Sequence, residues 1–247
     1  MDRLIYTAMT GASHVMQQQA AVSQNLSNVN TPGFRAAINT FRAVPLTGEG
    51  LPTRTFVVDS TSGTDFRPGV MQPTGRNLDV AVQGPGWIAV QTADGSEAYT
   101  RNGSFQVTPA GVLQTRTGLN VAGDAGPITL PADSEVTVAK DGTISTVPSG
   151  SRPSQVVVAA RIKLVNPPES QMVRGDDGLF RTRDGNPAEA DANVTVAAGN
   201  LESSNVNTVE AMVDMISLAR SYDMQMKMLQ SADNNAKQAS SILNMNA

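Results

Sequence analysis

From Ser204 through Ala247 the chain runs SNVNTVEAMVDMISLARSYDMQMKMLQSADNNAKQASSILNMNA, with neither Gly nor Pro after Gly199. Apolar or small residues recur at Met212, Ile216, Ala219, Tyr222, Met226, Leu229, Ala232, Ala236, Ala239 and Leu243. The steps are threes and fours averaging about 3.5, the period of a helix carrying one apolar stripe with a left-handed drift. Asn207 is placed to cap the first turn and Glu210 follows at the capping-box spacing. The pattern predicts one helix of about 35 residues, roughly 50 Å long, which a domain of this size cannot cover by itself. Residues 3–27 carry a matching pattern. Ile5, Ala8, Ala12, Val15, Gln19, Val22 and Leu26 alternate in threes and fours, with Gln19 the polar exception, and Ala8, Gly11 and Ala12 leave room for another backbone. Two long helices with matching stripes at opposite ends of one chain are expected to pair as a coiled-coil-like module.

Between the helices the period changes. Asn25 to Phe34, NLSNVNTPGF, is a helix exit and turn: Pro32 and Gly33 stop the helix, and Asn28 and Asn30 tolerate turn geometry. Residues 35–75 read as an extended, Pro- and Gly-punctuated connector with a strand at LPTRTFVVD (51–59). From 76 to 198 apolar residues alternate with polar ones in short runs such as LDVAV, WIAVQT, EAYTR, ITL, EVTVA, QVVVAARIKLV and VTVAA. Asp94-Gly95, Asn102-Gly103, Ala110-Gly111, Asp141-Gly142 and Asp177-Gly178 supply hairpin signals between them. The fold class is therefore α+β: an antiparallel all-β domain inserted between two helical ends. The expected divisions are 1–34 (helix and turn), 35–75 (connector), 76–198 (β domain) and 199–247 (C-terminal helix).

Composition removes several classes of function. The net charge of −4 rules out the dense basic patch that nucleic acid requires. With no cysteine there is no disulfide, no thiolate nucleophile and no cysteine-based zinc site. No run of about 18 apolar residues exists, so no membrane-inserted helix is expected. The opening MDRLIYTAMTGASHVMQQQ lacks the basic region, apolar core and small-residue cleavage site of a secretory signal. His14 is the only histidine and has no second soft ligand to complete a metal site. The Asp176-Asp177 pair and Asp184 lack the alternating oxygen spacing of a calcium loop and fit turn chemistry instead. Trp87 is expected to anchor the β core, with a sugar-stacking platform as the alternative. No catalytic, cofactor or metal residue is assigned. Met212, Met215, Met224, Met226, Met228 and Met245 are six of the eleven methionines. Their spread around the C-terminal helix suits a surface that meets several neighbours.

NLSNVNTPGF and LESSNVNTVEAMVDMISLARSYDMQMKMLQSAD resemble the N- and C-terminal signatures of bacterial flagellar rod and hook proteins. TGRNLDVAVQGPGWIAVQTADGSEAYTRNGSFQVTPAGVLQT resembles their β domain. Within that family, MDRLIYTAMTGA and LPTRTFVVDSTSG resemble the proximal-rod branch more than the distal-rod branch. The resemblance implies a non-catalytic axial subunit of the basal body. It implies export unfolded through the flagellar type III apparatus without a cleaved signal peptide, and assembly in the periplasm with copies of itself and other rod subunits. The residues assigned to assembly are Ile5, Ala8, Ala12, Val15, Val22, Leu26, Met212, Ile216, Ala219, Tyr222, Met226, Leu229 and Leu243. Asn25, Asn28, Asn30, Pro32, Gly33 and Phe34 form the signature turn. A glycan-binding module and a cell-wall hydrolase are the competing classes, and neither accounts for the helical ends.

Overall fold

A computed structural model describes residues 2–45, 55–131, 134–148 and 156–244, with the side chains of 5–42, 63–131, 134–148 and 156–241. The chain divides into two compact units. The first gathers residues 1–29, 36–65 and 206–247, and the second residues 30–35 and 66–205.

The first unit holds helix α1 (Asp2–Ser27), the antiparallel ribbon of β1 (Ala37–Pro45) and β2 (Thr55–Thr64), and helix α2 (Thr208–Asn244). Both helices lie close to their expected bounds. The start of α2 is capped as its sequence indicates: Asn207 Oδ1 accepts from the backbone N–H groups of Val209 (3.1 Å) and Glu210 (3.3 Å). Such a cap is worth about 1 kcal/mol. The two helices lie against one another, and α1 also contacts the ribbon. Asn25 ties the end of α1 to the start of β1 by two bonds, its Nδ2 donating to the Ala37 carbonyl (2.9 Å) and its Oδ1 accepting from the Ala37 N–H (2.8 Å). The side chain thus acts as a one-residue strand partner.

The segment 35–75, expected as a connector, is shared between the two units. Residues 36–65 belong with the helices, whereas 66–75 belong with the β unit. Of the expected strand 51–59, residues 51–54 lie outside the described residues and the remainder opens β2.

The second unit contains β3 (Met71–Pro73), β4 (Val80–Gln83), β5 (Trp87–Gln91), β6 (Glu97–Thr100), β7 (Phe105–Val107), β8 (Leu113–Thr115), β9 (Asn120–Gly123) and β10 (Gly126–Pro127). It continues with β11 (Ser134–Val138), β12 (Thr143–Pro148), β13 (Val157–Arg161), β14 (Leu164–Val165), β15 (Met172–Arg174), β16 (Phe180–Thr182), β17 (Thr195–Ala198) and β18 (Asn200–Glu202). One sheet runs β15-β16-β6-β5-β9-β8-β7, with β10 on β9 and β14 on β5. A second is β11-β12-β13, and the pairs β4–β17 and β3–β18 complete the unit. Each strand pairing is antiparallel.

The run QVVVAARIKLV, expected as one strand, serves two sheets. Its first part pairs with β12 as β13, Ile162 bridges to Gly123, and its last two residues pair with β5 as β14. ITL (128–130) forms only an isolated bridge between Val112 and Thr129. Asn102-Gly103, expected as a hairpin, is instead a close approach, because a Cβ on Gly103 would lie 1.7 Å from the Val80 carbonyl oxygen. One core is built from Val80, Val82, Ile88, Phe105, Leu113, Val121, Ile144, Ile162 and Leu164 among others. A second is built from Trp87, Tyr99, Met172 and Phe180, with Phe66 packed on it. Full burial of each large apolar side chain is worth about 1.5–3 kcal/mol, so these clusters hold the unit together.

Candidate assembly surface

On α1, burial follows the expected stripe. Ala8 and Ala12 are buried, and Ile5, Val15, Gln19, Val22 and Leu26 are half-buried. Beside that stripe Tyr6 (64 %), Met9 (54 %) and Met16 (57 %) are exposed, spaced three and seven residues apart.

On α2 the buried stripe differs from the expected one in its first half. Ala211 and Ala232 are buried, while Met215, Leu218, Tyr222, Gln225, Leu229, Ala236 and Ala239 are half-buried. Those positions alternate in steps of four and three without a break. A Cβ added to Gly11 of α1 would lie 3.2 Å from the Gln225 side chain, so this is the face turned to α1. Met212, Ile216, Ala219 and Met226, assigned to the same seam from sequence, lie one position off it and are exposed, Ile216 by 56 %. With Val209 (71 %) and Val213 (60 %) they form an apolar stretch open to solvent in the single chain. The side chain of Leu243 lies outside the described residues.

The signature turn spans both units. Asn28 belongs to the first, where its Nδ2 donates to the Gln24 carbonyl at the helix end (2.9 Å). Asn30 is exposed. Gly33 and Phe34 are buried in the second unit. Gly33 has φ +70°, and a Cβ there would lie 2.3 Å from the Arg101 carbonyl carbon. Only glycine fits, on both conformational and steric grounds. Its N–H donates to the Glu202 carbonyl (2.8 Å). Phe34 lies under the Arg174 guanidinium, 4.5 Å from ring centroid to Cζ.

Beside this turn lies a charged cluster not singled out from the sequence. Glu202 is 1 % exposed, with Arg35 Nη1 2.6 Å from one carboxylate oxygen and Arg101 Nη1 3.0 Å from the other. The Arg35 contact is ionic and off the hydrogen-bonding direction, and no Arg35 side-chain nitrogen has a hydrogen-bond acceptor among the described residues. Arg101 also donates to the carbonyls of Val82 (3.3 Å) and Gly84 (2.7 Å) and lies over the Trp87 ring. Burial pulls the Arg101 pKa below the usual guanidinium value, and the Glu202 carboxylate opposes that shift. A sequence signal existed: Arg35 directly follows TPGF, and Glu202 lies inside LESS, so one of a pair of opposite charges adjoins the first signature and the other lies in the second.

The family described as "Flagella basal body rod protein" matches residues 5–35, covering α1 and the turn through Arg35. "Flagellar basal body rod FlgEFG protein C-terminal" matches 197–242, from Glu202's strand along α2, and "Flagellar hook protein FlgE/F/G D1 domain" matches 81–146 in the β unit. The flagellar basal-body rod protein FlgF of Escherichia coli is 52 % identical, over 99 % of this chain and 100 % of its own length. The FlgF of Salmonella typhimurium is 49 % identical over the same shares. The chain belongs to the flagellar basal-body rod family, in its FlgF branch. A FlgG rod protein of Buchnera aphidicola is similar at 29 % identity, over 93 % of this chain and 95 % of its own.

The groups weighed for other chemistry are occupied structurally. His14 Nδ1 is 3.3 Å from Gln17 Oε1, and its ring meets Phe41 edge-on at 5.3 Å. Asp177 pairs with Arg181 (2.6 Å), which holds its carboxyl below the usual range. Asp184 accepts from Asn186 in a turn. Trp87 is buried, with its ring centroid 4.5 Å from that of Phe180. Burial pushes the Tyr99 phenol up to about 12 while its oxygen accepts from the Ala188 N–H (2.6 Å). Among the described residues no three or more His, Cys, Asp or Glu side chains cluster as a metal site would need.

Proposed function

We propose that this protein is a structural subunit of the proximal flagellar rod that polymerises through its two terminal helices. The observation that carries this reading is the second apolar stripe on each helix. Tyr6, Met9 and Met16 on α1, and Val209, Met212, Val213 and Ile216 on α2, are exposed beside a seam already closed within the chain. Soluble monomers rarely display such contiguous apolar surface without a partner for it. In the rod, α1 and α2 pair along a coiled-coil-like seam, and the outer stripes bury against neighbouring copies and other rod subunits. The subunit reaches the periplasm unfolded through the flagellar type III apparatus. It needs no cofactor and catalyses nothing. Burial of Trp87 in the core removes the surface on which a glycan-binding reading depended.

Ile216→Asp tests the reading. The side chain is 56 % exposed in the single chain, so the purified variant is expected to keep the circular dichroism spectrum of the parent. In an assembled rod the carboxylate would be buried without a partner, at a cost of several kcal/mol per contact. Non-motile cells lacking the subunit in their basal bodies are the expected outcome. Normal swimming would show the stripe to be solvent-facing and overturn the assignment.

A further inference from the structure

The chain passes between its two units four times, after Val29, Arg35, Asp65 and Asn205. Inside the second unit the segments that make these crossings are bonded to one another. Gly33 N–H donates to the Glu202 carbonyl (2.8 Å), and Asn205 N–H donates to the Phe34 carbonyl (3.3 Å). Gly69 N–H donates to Glu202 Oε1 (2.8 Å), Ser203 N–H to the Val70 carbonyl (2.9 Å), and Asn205 Nδ2 to the Arg67 carbonyl (3.0 Å). The backbones touch directly: a Cβ on Gly69 would lie 2.0 Å from the Ser203 carbonyl oxygen. At the centre is Glu202, whose two carboxylate oxygens reach Arg35 on one crossing segment, Gly69 on a second and Arg101 just after β6.

We propose that Glu202 is a positioning residue, which fixes the spacing and order of all four crossings through one buried carboxylate shared between Arg35 and Arg101. Two guanidinium groups at 1 % and 5 % exposure are held by a single anion. Buried ionic groups of this kind add little net stability over apolar substitutes, but they accept few alternative arrangements. A slipped crossing would leave a guanidinium uncompensated in the interior. Its consequence for assembly rests on the rod reading; its local effect does not.

The test compares the full-length parent with Glu202→Gln and with the double variant Arg35→Met/Glu202→Gln. The double variant keeps the net charge of the cluster at +1, because one cation and the anion are both removed. Amide hydrogen exchange is read at Gly33, Gly69 and Ser203 and, as a reference, at Ile88, Val90 and Val121 in the core. About tenfold or greater acceleration at the first three, with the core amides unchanged, is expected in both variants. Acceleration spread evenly over both sets, or none, overturns the proposal by making Glu202 an ordinary contributor to global stability. If Glu202→Gln does not fold, the double variant decides, and failure of both to fold also overturns it. In cells, the double variant is expected in the exported fraction but at about a tenth or less of the parental level in basal bodies, following the same tenfold loosening. Parental incorporation overturns the positioning role. Absence of the parent protein itself from basal bodies would instead overturn the rod reading.

Discussion

The β unit and the helical unit use apolar residues in opposite ways. In the β unit Ile88, Val90, Val121 and Val196 are all 0 % exposed, and two clusters of aromatic and aliphatic side chains form its cores, although Val70 and the run Val156, Val157 and Val158 stay exposed. In the helical unit the residues fully buried on the helices are alanines, Ala8, Ala12, Ala211 and Ala232, whereas Met9, Val209, Val213 and Ile216 are more than half exposed. Alanines bury little area, and at about 0.8 kcal/mol per buried CH₂ a seam built on them adds modestly to stability. It does let two backbones approach closely. The β unit therefore closes its core on large side chains, whereas the helices close theirs mainly on alanines and leave larger apolar side chains exposed.

Two isoleucines give the largest expected contrast. Ile88→Ala should cost the purified protein about 2–5 kcal/mol, read as a lower urea midpoint, because the cavity forms in a closed core. Ile216→Ala should change the stability read from that midpoint by about 0.5 kcal/mol or less. Equal losses at the two sites would erase the contrast between the units. Gly33→Val comes next, at about 3 kcal/mol in the same measurement, since both a positive φ and a backbone collision are forced. A variant with unchanged stability would mean that the turn relaxes freely.

Limited proteolysis sharpens the comparison. Cleavage should enter α1 and α2 first and leave a fragment close to 66–205, because the helices have little buried surface of their own. A full-length chain resistant at both ends would show the helical unit to be stable alone. Asn207→Ala should cost about 1 kcal/mol and appear as reduced helical signal, with the β unit's unfolding midpoint unchanged.

The smallest effect is on acidification. Hydrogen bonds from Thr92 and Ser96 hold Asp94 below its ordinary value, and similar turn bonds lower Asp141, Asp184 and Asp191. Arg181 does the same for Asp177. Each folded pKa lies below the unfolded one, so the contribution is fully present above about pH 4 and is lost as the pH falls through the folded values. The urea midpoint of the β unit should be flat from about pH 7 to 5 and decline below about 4. A decline beginning near neutrality would point to a different titrating group.

Local chemistry determined much of this protein directly. Three-four periodicity placed both helices, Asn207 marked the start of α2, and Pro32-Gly33 marked the end of the first helical segment. The alternation of apolar residues announced a β region, because each of these signals acts over a few neighbouring residues. The seam of α1 was legible since its stripe from Ile5 to Leu26 runs in unbroken steps of three and four, whereas Tyr6, Met9 and Met16 are spaced three and seven residues apart. That of α2 was not. Met212, Ile216, Ala219 and Met226 are as apolar as Ala211, Met215, Leu218 and Gln225 or more so, and the chain alone does not say which stripe meets α1 and which is left open. Only the tertiary structure decided that, through the close fit of Gly11 beside Gln225. It likewise decided that QVVVAARIKLV divides between two sheets, and that 36–65 belong with the helices. Arg35 and Glu202 show the same limit most sharply. Charges with no periodicity read as solvated surface, and only the meeting of segments 167 positions apart made them a buried pair.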